Sequence, residues 1–218
     1  MNRQEREATL QQRLADMKQF ENGFWARGIA YVGGVDEVGR GPLAGPVCAA
    51  CVVLPEGFSV LGVDDSKKLT EKRRESLYEE ILAEALAIGY GSVGHERIDA
   101  EGIVPATRKA MAAAVLEAGE SLARTQGVGA RIGRLLVDAI HLTEAGIPCT
   151  AIVKGDAQSV SIAAASIVAK VRRDRLMRQY DIEYPGYAFA SNKGYGTKAH
   201  YEGLRTLGPS PIHRLSFL

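Results

Sequence analysis

The chain has little sulfur and no long apolar run, and each shortage removes a class of protein. Three cysteines among 218 residues are too few, and odd in number, for a disulfide framework. Cys48 and Cys51 form a Cys-x-x-Cys within Pro46-Val47-Cys48-Ala49-Ala50-Cys51-Val52-Val53-Leu54. That segment reads as a buried strand. Residues three apart in a strand point to opposite faces, so the two thiols could not chelate one ion and are expected to be core residues. The four histidines, His95, His141, His200 and His213, show no ligand spacing of the His-Glu-x-x-His kind. No stretch approaches the length needed to span a bilayer. Residues 1–18 are charged throughout and lack the apolar centre of a signal peptide. Cytoplasmic residence without a membrane partner is therefore expected. A Gly-Lys-Ser/Thr phosphate loop is absent. The glycine-rich turn from Gly39 to Gly45 is no dinucleotide fingerprint, because its spacing is wrong, Pro42 interrupts it and a strand follows where a helix should. Nucleotide-cofactor enzymes fall away.

What is present fits one soluble globular domain: 46% hydrophobic and 24% charged residues. Residues 3–25 read as a polar-faced helix, and strands follow at about 29–36 and 46–54. Thr70 is a plausible N-cap for a helix over 71–86. Further strands are expected at 89–93, 134–137 and 148–153. Helices are expected at 103–124, with Ala106, Ala110, Ala113 and Leu116 on one face, at 159–180 and near 197–207. Two strands first, then strands alternating with helices, predicts an α/β fold with a mixed sheet. The net charge of +1 is unevenly spread, since residues 154–218 hold 10 Lys and Arg against 5 Asp and Glu. A basic C-terminal third is compatible with a phosphate backbone as partner; ordinary surface scatter is the plainer alternative.

The most telling feature is Asp36-Glu37, two carboxylates at the end of the apolar run Ile29 to Val35 and directly before Gly39-Arg40-Gly41-Pro42-Leu43-Ala44-Gly45. Anions at a buried strand end are costly without a compensating cation or donor, and such oxygen ligands suit Mg2+ or Mn2+. Singly, Asp36 and Glu37 could be turn formers and Asp138 and Asp156 caps. The joint pattern favours metals: Asp138 ends another strand, and Asp156 lies just past a third. Strand ends gathered at one sheet edge form the usual site crevice of α/β folds. Four carboxylates there would repel one another unless cations bound, and two divalent ions suit in-line phosphoryl transfer.

These residues carry a resemblance. Asp36-Glu37-Val38-Gly39-Arg40-Gly41-Pro42-Leu43-Ala44-Gly45-Pro46-Val47 resembles the signature of bacterial type 2 ribonuclease H (ribonuclease HII). So do Asp65-Ser66-Lys67-Lys68-Leu69, Lys154-Gly155-Asp156, Ser161 to Val171, Lys193-Gly194-Tyr195-Gly196-Thr197 and Gly208-Pro209-Ser210-Pro211-Ile212-His213-Arg214. The likeness spans roughly 29–217 in the family's order. It implies a ribonuclease-H-like fold: a central mixed five-stranded sheet flanked by helices, with a small helical C-terminal portion over about 185–218. Residues 1–28 would be an N-terminal helical extension to a catalytic domain over 29–218.

The resemblance further implies an endonuclease acting on the RNA strand of RNA–DNA hybrids and at single ribonucleotides in duplex DNA. It would work as a monomer with two Mn2+ or Mg2+ ions, leaving 5′-phosphate and 3′-hydroxyl ends. The family's metal-binding carboxylates fall on Asp36, Glu37, Asp138 and Asp156. Its 2′-hydroxyl-sensing element falls on Gly39, Arg40 and Gly41, and its stacking tyrosine on Tyr195. Lys67, Lys68, Ser166 and Lys170 are candidate phosphate contacts, with a solvated approach to a helix as the lesser alternative for Lys67 and Lys68. The departures are Asn192 for a frequent His, Ala139 for a common Gly and Leu215 for a usual Arg. Type 3 enzymes are the alternative, with a larger N-terminal domain and usually Glu at the fourth position, where this chain has Asp156. A catalytically silent nucleic-acid-binding module would gain from losing anions that repel phosphate. A small-molecule phosphatase fits poorly with the basic C-terminal third and the stacking tyrosine.

Overall fold

The structure, a computed structural model, describes residues 2–218. β1 (Val32–Val38) pairs antiparallel with β2 (Val47–Val53), and β2 pairs antiparallel with β3 (Ala87–Val93). β4 (Arg134–Asp138) and β5 (Cys149–Ile152) add parallel to β1 on its other side. The order across the sheet is β3-β2-β1-β4-β5, the mixed five-stranded sheet the sequence led us to expect. β2 is buried from end to end, as a strand covered by helices on both faces must be. Cys48 and Cys51 are both buried and free, on opposite faces of β2.

Bare glycine backbone lets each covering helix approach the sheet closely. α5 (Ile103–Gln126) lies on one face over Gly89 and Gly91, where an added Cβ would come within 2.0 Å of the Ala114 carbonyl and 1.9 Å of the Ala110 carbonyl. The helix face that fits there is Ala106, Ala110, Ala114 and Ala118, all fully buried. The expected face was therefore half right. Ala113 and Leu116 rotate away from that every-fourth-residue ridge, and Leu116 is 66% exposed. On the opposite face α6 (Val160–Glu183) crosses Gly34 of β1, where a Cβ would meet the Ser161 backbone at 2.0 Å. Its first ten residues, Val160 to Ala169, are all buried, which makes α6 the central helix of the molecule. α3 (Glu71–Glu84) packs outside α6 through Leu77 and Ile81, and Thr70 caps it by accepting from the Arg73 amide at 3.3 Å.

The N-terminal segment forms two helices, not the single one expected. α1 (Arg3–Met17) and α2 (Gln19–Trp25) meet at Lys18, whose Nζ donates to the carbonyls of Glu56 at 2.5 Å and Phe58 at 3.2 Å. Both helices are tied to the body. Met17 and Phe24 are buried, and Glu21 accepts from Ser159 Oγ at 2.5 Å and the Ser161 amide at 3.0 Å. A carboxylate is well placed at the first turn of α6, where unpaired amides gather. α4 (His95–Glu101) was not anticipated; it is a short turn between Gly94 and Gly102, and Gly102 has a left-handed φ of +87°. The C-terminal portion holds α7 (Phe189–Asn192) and α8 (Lys198–Leu207), as expected of a small helical segment.

Candidate active site

Because β1, β4 and β5 run parallel, their carboxyl ends share one edge of the sheet. Asp36 and Glu37 stand near the end of β1, Asp138 closes β4, and Asp156 lies in the short 3-10 turn Gly155–Ala157 just past β5. Asp36 is 4% exposed and Asp156 6%, while Glu37 and Asp138 are half-buried. Asp36 Oδ1 accepts from the Glu37 amide at 2.8 Å, and Asp138 Oδ1 from the Gly155 amide at 2.7 Å. Gly155 has to be small: a Cβ there would meet Ile162 Cδ1 at 2.6 Å and Asp138 Oδ1 at 3.4 Å. Ala139, where the resemblance led us to expect glycine, sits in the left-handed region at φ +51°, a conformation that glycine adopts without strain.

The electrostatics are those of anions short of counter-charge. Burial, followed by Glu37 and Asp138, pushes the Asp36 carboxyl well above its ordinary range, against a hydroxyl contact from Ser166. Burial also raises Glu37; Arg40 opposes the shift and Asp138 adds to it. Asp156 is raised by burial, then by Asp65 and Asp138, with Lys67 opposing. Glu37 Oε2 is buried with no hydrogen-bond partner. Among the described residues no three His, Cys, Asp or Glu side chains stand close enough together to form a ready-made coordination shell. The oxygen-only donor set, the unpartnered Glu37 oxygen and the raised carboxyls all fit a hard divalent cation.

Beside the carboxylates, the loop from Gly39 to Pro46 is held by two fully buried arginines. Arg173 of α6 donates from Nε to the Pro46 carbonyl at 3.0 Å, from Nη1 to Lys193 at 2.9 Å and from Nη2 to Ala44 at 3.3 Å. Arg214 donates to the carbonyls of Gly45 at 2.9 Å, Arg40 at 2.8 Å and Gly39 at 2.6 Å. The Leu43 amide bonds the Gly194 carbonyl at 2.8 Å, so the loop and the Tyr195 segment form one unit. Gly39 is left-handed at φ +89°, and a Cβ there would strike Arg173 Nε at 2.3 Å, so no other residue fits. A Cβ on Gly41 would lie 3.6 Å from Tyr195 Cε1, which puts the 45%-exposed ring beside the Gly39-Arg40-Gly41 backbone.

The cations anticipated from the sequence divide into two groups. Exposed Lys67 lies 3.7 Å from Asp156. Burial pulls its ammonium down, but Asp156, Asp36, Asp65 and Asp138 outweigh that and hold it above its usual value. Lys68 pairs with Asp64 at 3.4 Å, one step away from the carboxylates. Ser166 Oγ lies 2.9 Å from Ser66 Oγ, both buried beneath the site. Lys170 departs from expectation: its Nζ donates to Asp174 Oδ1 at 2.7 Å, so it is engaged in a half-buried ion pair. Sequence reasoning missed Arg173, Arg214 and Asp65. Arg214 closes a motif that had been quoted, and Asp65 opens one and caps the turn over Ser66–Lys68; nothing marks Arg173 within Arg172-Arg173-Asp174-Arg175. A cavity of about 630 Å3 lies elsewhere, on the outer side of α5 between Leu116, Ala123 and Ile147.

Comparison with known proteins gives the family and agrees with the fold. The family model for Ribonuclease HII matches residues 33–218. Ribonuclease HII of Listeria monocytogenes serotype 4a is 51% identical over 215 residues, covering 98% of this chain and 77% of that protein. That of Caldanaerobacter subterraneus is 49% identical over 206 residues, covering 94% and 81%. Among solved structures, ribonuclease HII in its complex with PCNA from Archaeoglobus fulgidus superposes with a TM-score of 0.66 at 25% identity, covering 86% of this chain and 95% of that one. Ribonuclease H2 of Pyrococcus horikoshii superposes at 0.62 with 26% identity, covering 85% and 93%. A ribonuclease HIII solved with Mn2+ shares the fold, at 0.62 and 19% identity. By sequence and by fold, this chain belongs to the ribonuclease HII family and is an enzyme of the ribonuclease H type.

Proposed function

We propose that the protein cleaves the RNA strand of RNA–DNA hybrids and incises duplex DNA at single ribonucleotides, leaving 5′-phosphate and 3′-hydroxyl ends. The observation that carries this reading is the buried carboxylate edge with an unpartnered Glu37 oxygen, set beside a glycine loop and an exposed tyrosine. Asp36, Glu37, Asp138 and Asp156 would hold divalent metal, Mn2+ or Mg2+. When bound, a pair of such ions supplies a deprotonated water and stabilises charge on the leaving oxygen. The chain's own residues do the rest. Gly155 and Glu37 amides orient the Asp138 and Asp36 carboxylates. Main-chain groups of Gly39, Arg40 and Gly41, bare of side chain at two of three positions, can approach a 2′-hydroxyl, the group that separates RNA from DNA. Tyr195 offers a flat face for the adjoining nucleotide. Lys67 extends from the site edge toward a phosphate, and Lys68 and Ser166 stand close behind it.

Residues 29–218 form the catalytic unit in this reading and 1–28 a helical extension, whose described helices pack on that unit through Met17, Glu21 and Phe24. We further infer cytoplasmic residence; among the described residues no helix is long and apolar enough to cross a membrane. A monomer is part of the same reading. The test is cleavage of duplex DNA carrying one ribonucleotide and of a continuous hybrid, each with Mn2+, with Mg2+ and with excess chelator. Both substrates should be cut only with metal. Full activity in chelator would refute the metal reading, and cleavage of the hybrid alone would refute the single-ribonucleotide one.

A further inference from the structure

Beneath the Tyr195 segment two buried histidines bond ring to ring. His200 of α8 and His213 face each other with Nε2 to Nε2 at 2.9 Å. On the outer side of one ring, His200 Nδ1 is 2.9 Å from the Tyr195 carbonyl. On the outer side of the other, His213 Nδ1 is 2.8 Å from both the amide and the hydroxyl of Ser210, and 3.3 Å from the Ser210 carbonyl. The protons can be placed by elimination. A carbonyl only accepts, so His200 Nδ1 carries hydrogen. At His213 Nδ1 the Ser210 amide is the nearer backbone group and only donates, while the farther Ser210 carbonyl already accepts from the His213 amide at 3.0 Å, so His213 Nδ1 presents its lone pair. Two neutral rings must then share one proton between the facing nitrogens, carried on His213 Nε2 and donated to His200 Nε2. The result is a chain of hydrogen bonds running one way, from Ser210 through His213 and His200 to the backbone of Tyr195.

The rings have little freedom to do anything else. Phe189 meets His200 edge-on at 5.2 Å between centroids, and Tyr187 lies 5.0 Å from His213. The Tyr187 hydroxyl is itself fixed to the Gly208 carbonyl at 2.7 Å. All four ring nitrogens are occupied, two as donors and two as acceptors. We propose that His200 and His213 are positioning residues for nucleotide recognition, their directed hydrogen-bond chain fixing the Tyr195 backbone so that the exposed ring stays against Gly41. This deepens the proposed stacking role of Tyr195 and rests on it.

The test uses the full chain near pH 8 with Mn2+. Nitrogen-15 labelling of the histidine rings should place the protons on His200 Nδ1 and His213 Nε2; the opposite assignment would overturn the chain. His200→Phe keeps the ring's volume and removes both bonds. It should lower cleavage at a single ribonucleotide about ten-fold, chiefly through KM, with a smaller loss on a continuous hybrid. In the Tyr195→Ala background the same change should add no further loss, since residues acting through one another are not additive. Losses that multiply in the double variant would overturn the proposal. His213→Asn keeps an acceptor for the Ser210 amide and cuts only the inter-ring bond, so it should show the same pattern even if the phenylalanine variant folds poorly. Normal cleavage by Tyr195→Ala alone would remove the functional half of the proposal, and the nitrogen spectrum would still decide the proton order.

Discussion

Two groups of buried charge lie side by side in this protein and are treated in opposite ways. The guanidiniums of Arg173 and Arg214 are fully buried, and between them they donate to six backbone carbonyls, of Gly39, Arg40, Ala44, Gly45, Pro46 and Lys193. The carboxylates a few residues away are left with few donors, a reluctance to ionise and, at Glu37, an oxygen with no partner. Satisfied charge is scaffold: it fixes a loop and asks for nothing from outside. Carboxylates gathered at one sheet edge and short of donors favour a proton or a cation, and it is their clustering that sets them apart from Glu21, which also has an unpartnered oxygen but stands alone under α6.

The comparison can be broken most severely at the carboxylates. Asp138→Asn keeps size and one acceptor oxygen but removes a charge, and should lower cleavage on the order of 10^3-fold or more, since ion-mediated stabilisation is worth several kcal/mol. Folding and hybrid binding should survive. Cleavage within a few-fold of the parent would remove Asp138 from the site. Arg214→Ala acts on the scaffold instead and orphans three buried carbonyls. It should destabilise the fold by about 3–5 kcal/mol, read as a lower denaturant midpoint, with activity falling as the loop loosens. Retained stability would show that those carbonyls find other donors.

Tyr195→Ala sits between the two regions. Nucleotide stacking is worth about 1–3 kcal/mol by truncation, so incision at a single ribonucleotide should drop roughly ten- to a hundred-fold without a fall in melting temperature. A loss fully explained by unfolding would make Tyr195 a packing residue. A milder probe is acid. Burial, then His200 and His95, lowers His213 from 6.5 to about 4, and burial lowers His200 as well. The unfolded chain takes up protons below about 6.5 while the folded pair resists. Stability is therefore intact above that pH and lost as pH falls from 6.5 toward 4. Denaturant melts across that window should show the loss, and His200→Phe should flatten it. The smallest effect runs the other way. Asp36 ionises reluctantly in the fold, so its charge opposes folding as pH rises, and Asp36→Asn should raise the melting temperature of metal-free protein near pH 8. A fall instead would mean that the Asp36 anion is already compensated.

Much of this was legible in the residues. Asp36-Glu37, Asp138 and Asp156 announce themselves because each follows an apolar run that can only be a strand, and parallel strands bring their carboxyl ends together. The mixed sheet was legible for the same reason. What escaped reading depends on contacts distant in sequence. The buried face of α5 was misjudged at Ala113 and Leu116, because the glycines that choose the face lie on β3. Lys170 looked like a phosphate ligand among alanines, yet Asp174 one turn on takes it up. Arg173 stands in a run of charges that reads as a solvated helix face, and only the fold shows that it is one of the most deeply buried side chains in the molecule.

The grip of Arg214 on Gly39, Arg40 and Gly45 reaches across as many as 175 positions in the chain. During synthesis the sheet edge and its carboxylates are made long before that residue is. A ribosome-bound chain carries all four of these carboxylates while the loop from Gly39 to Pro46 is still without one of its two anchors. The final shape of the loop is therefore set late relative to the sheet edge beside it, once Arg214 has left the ribosome.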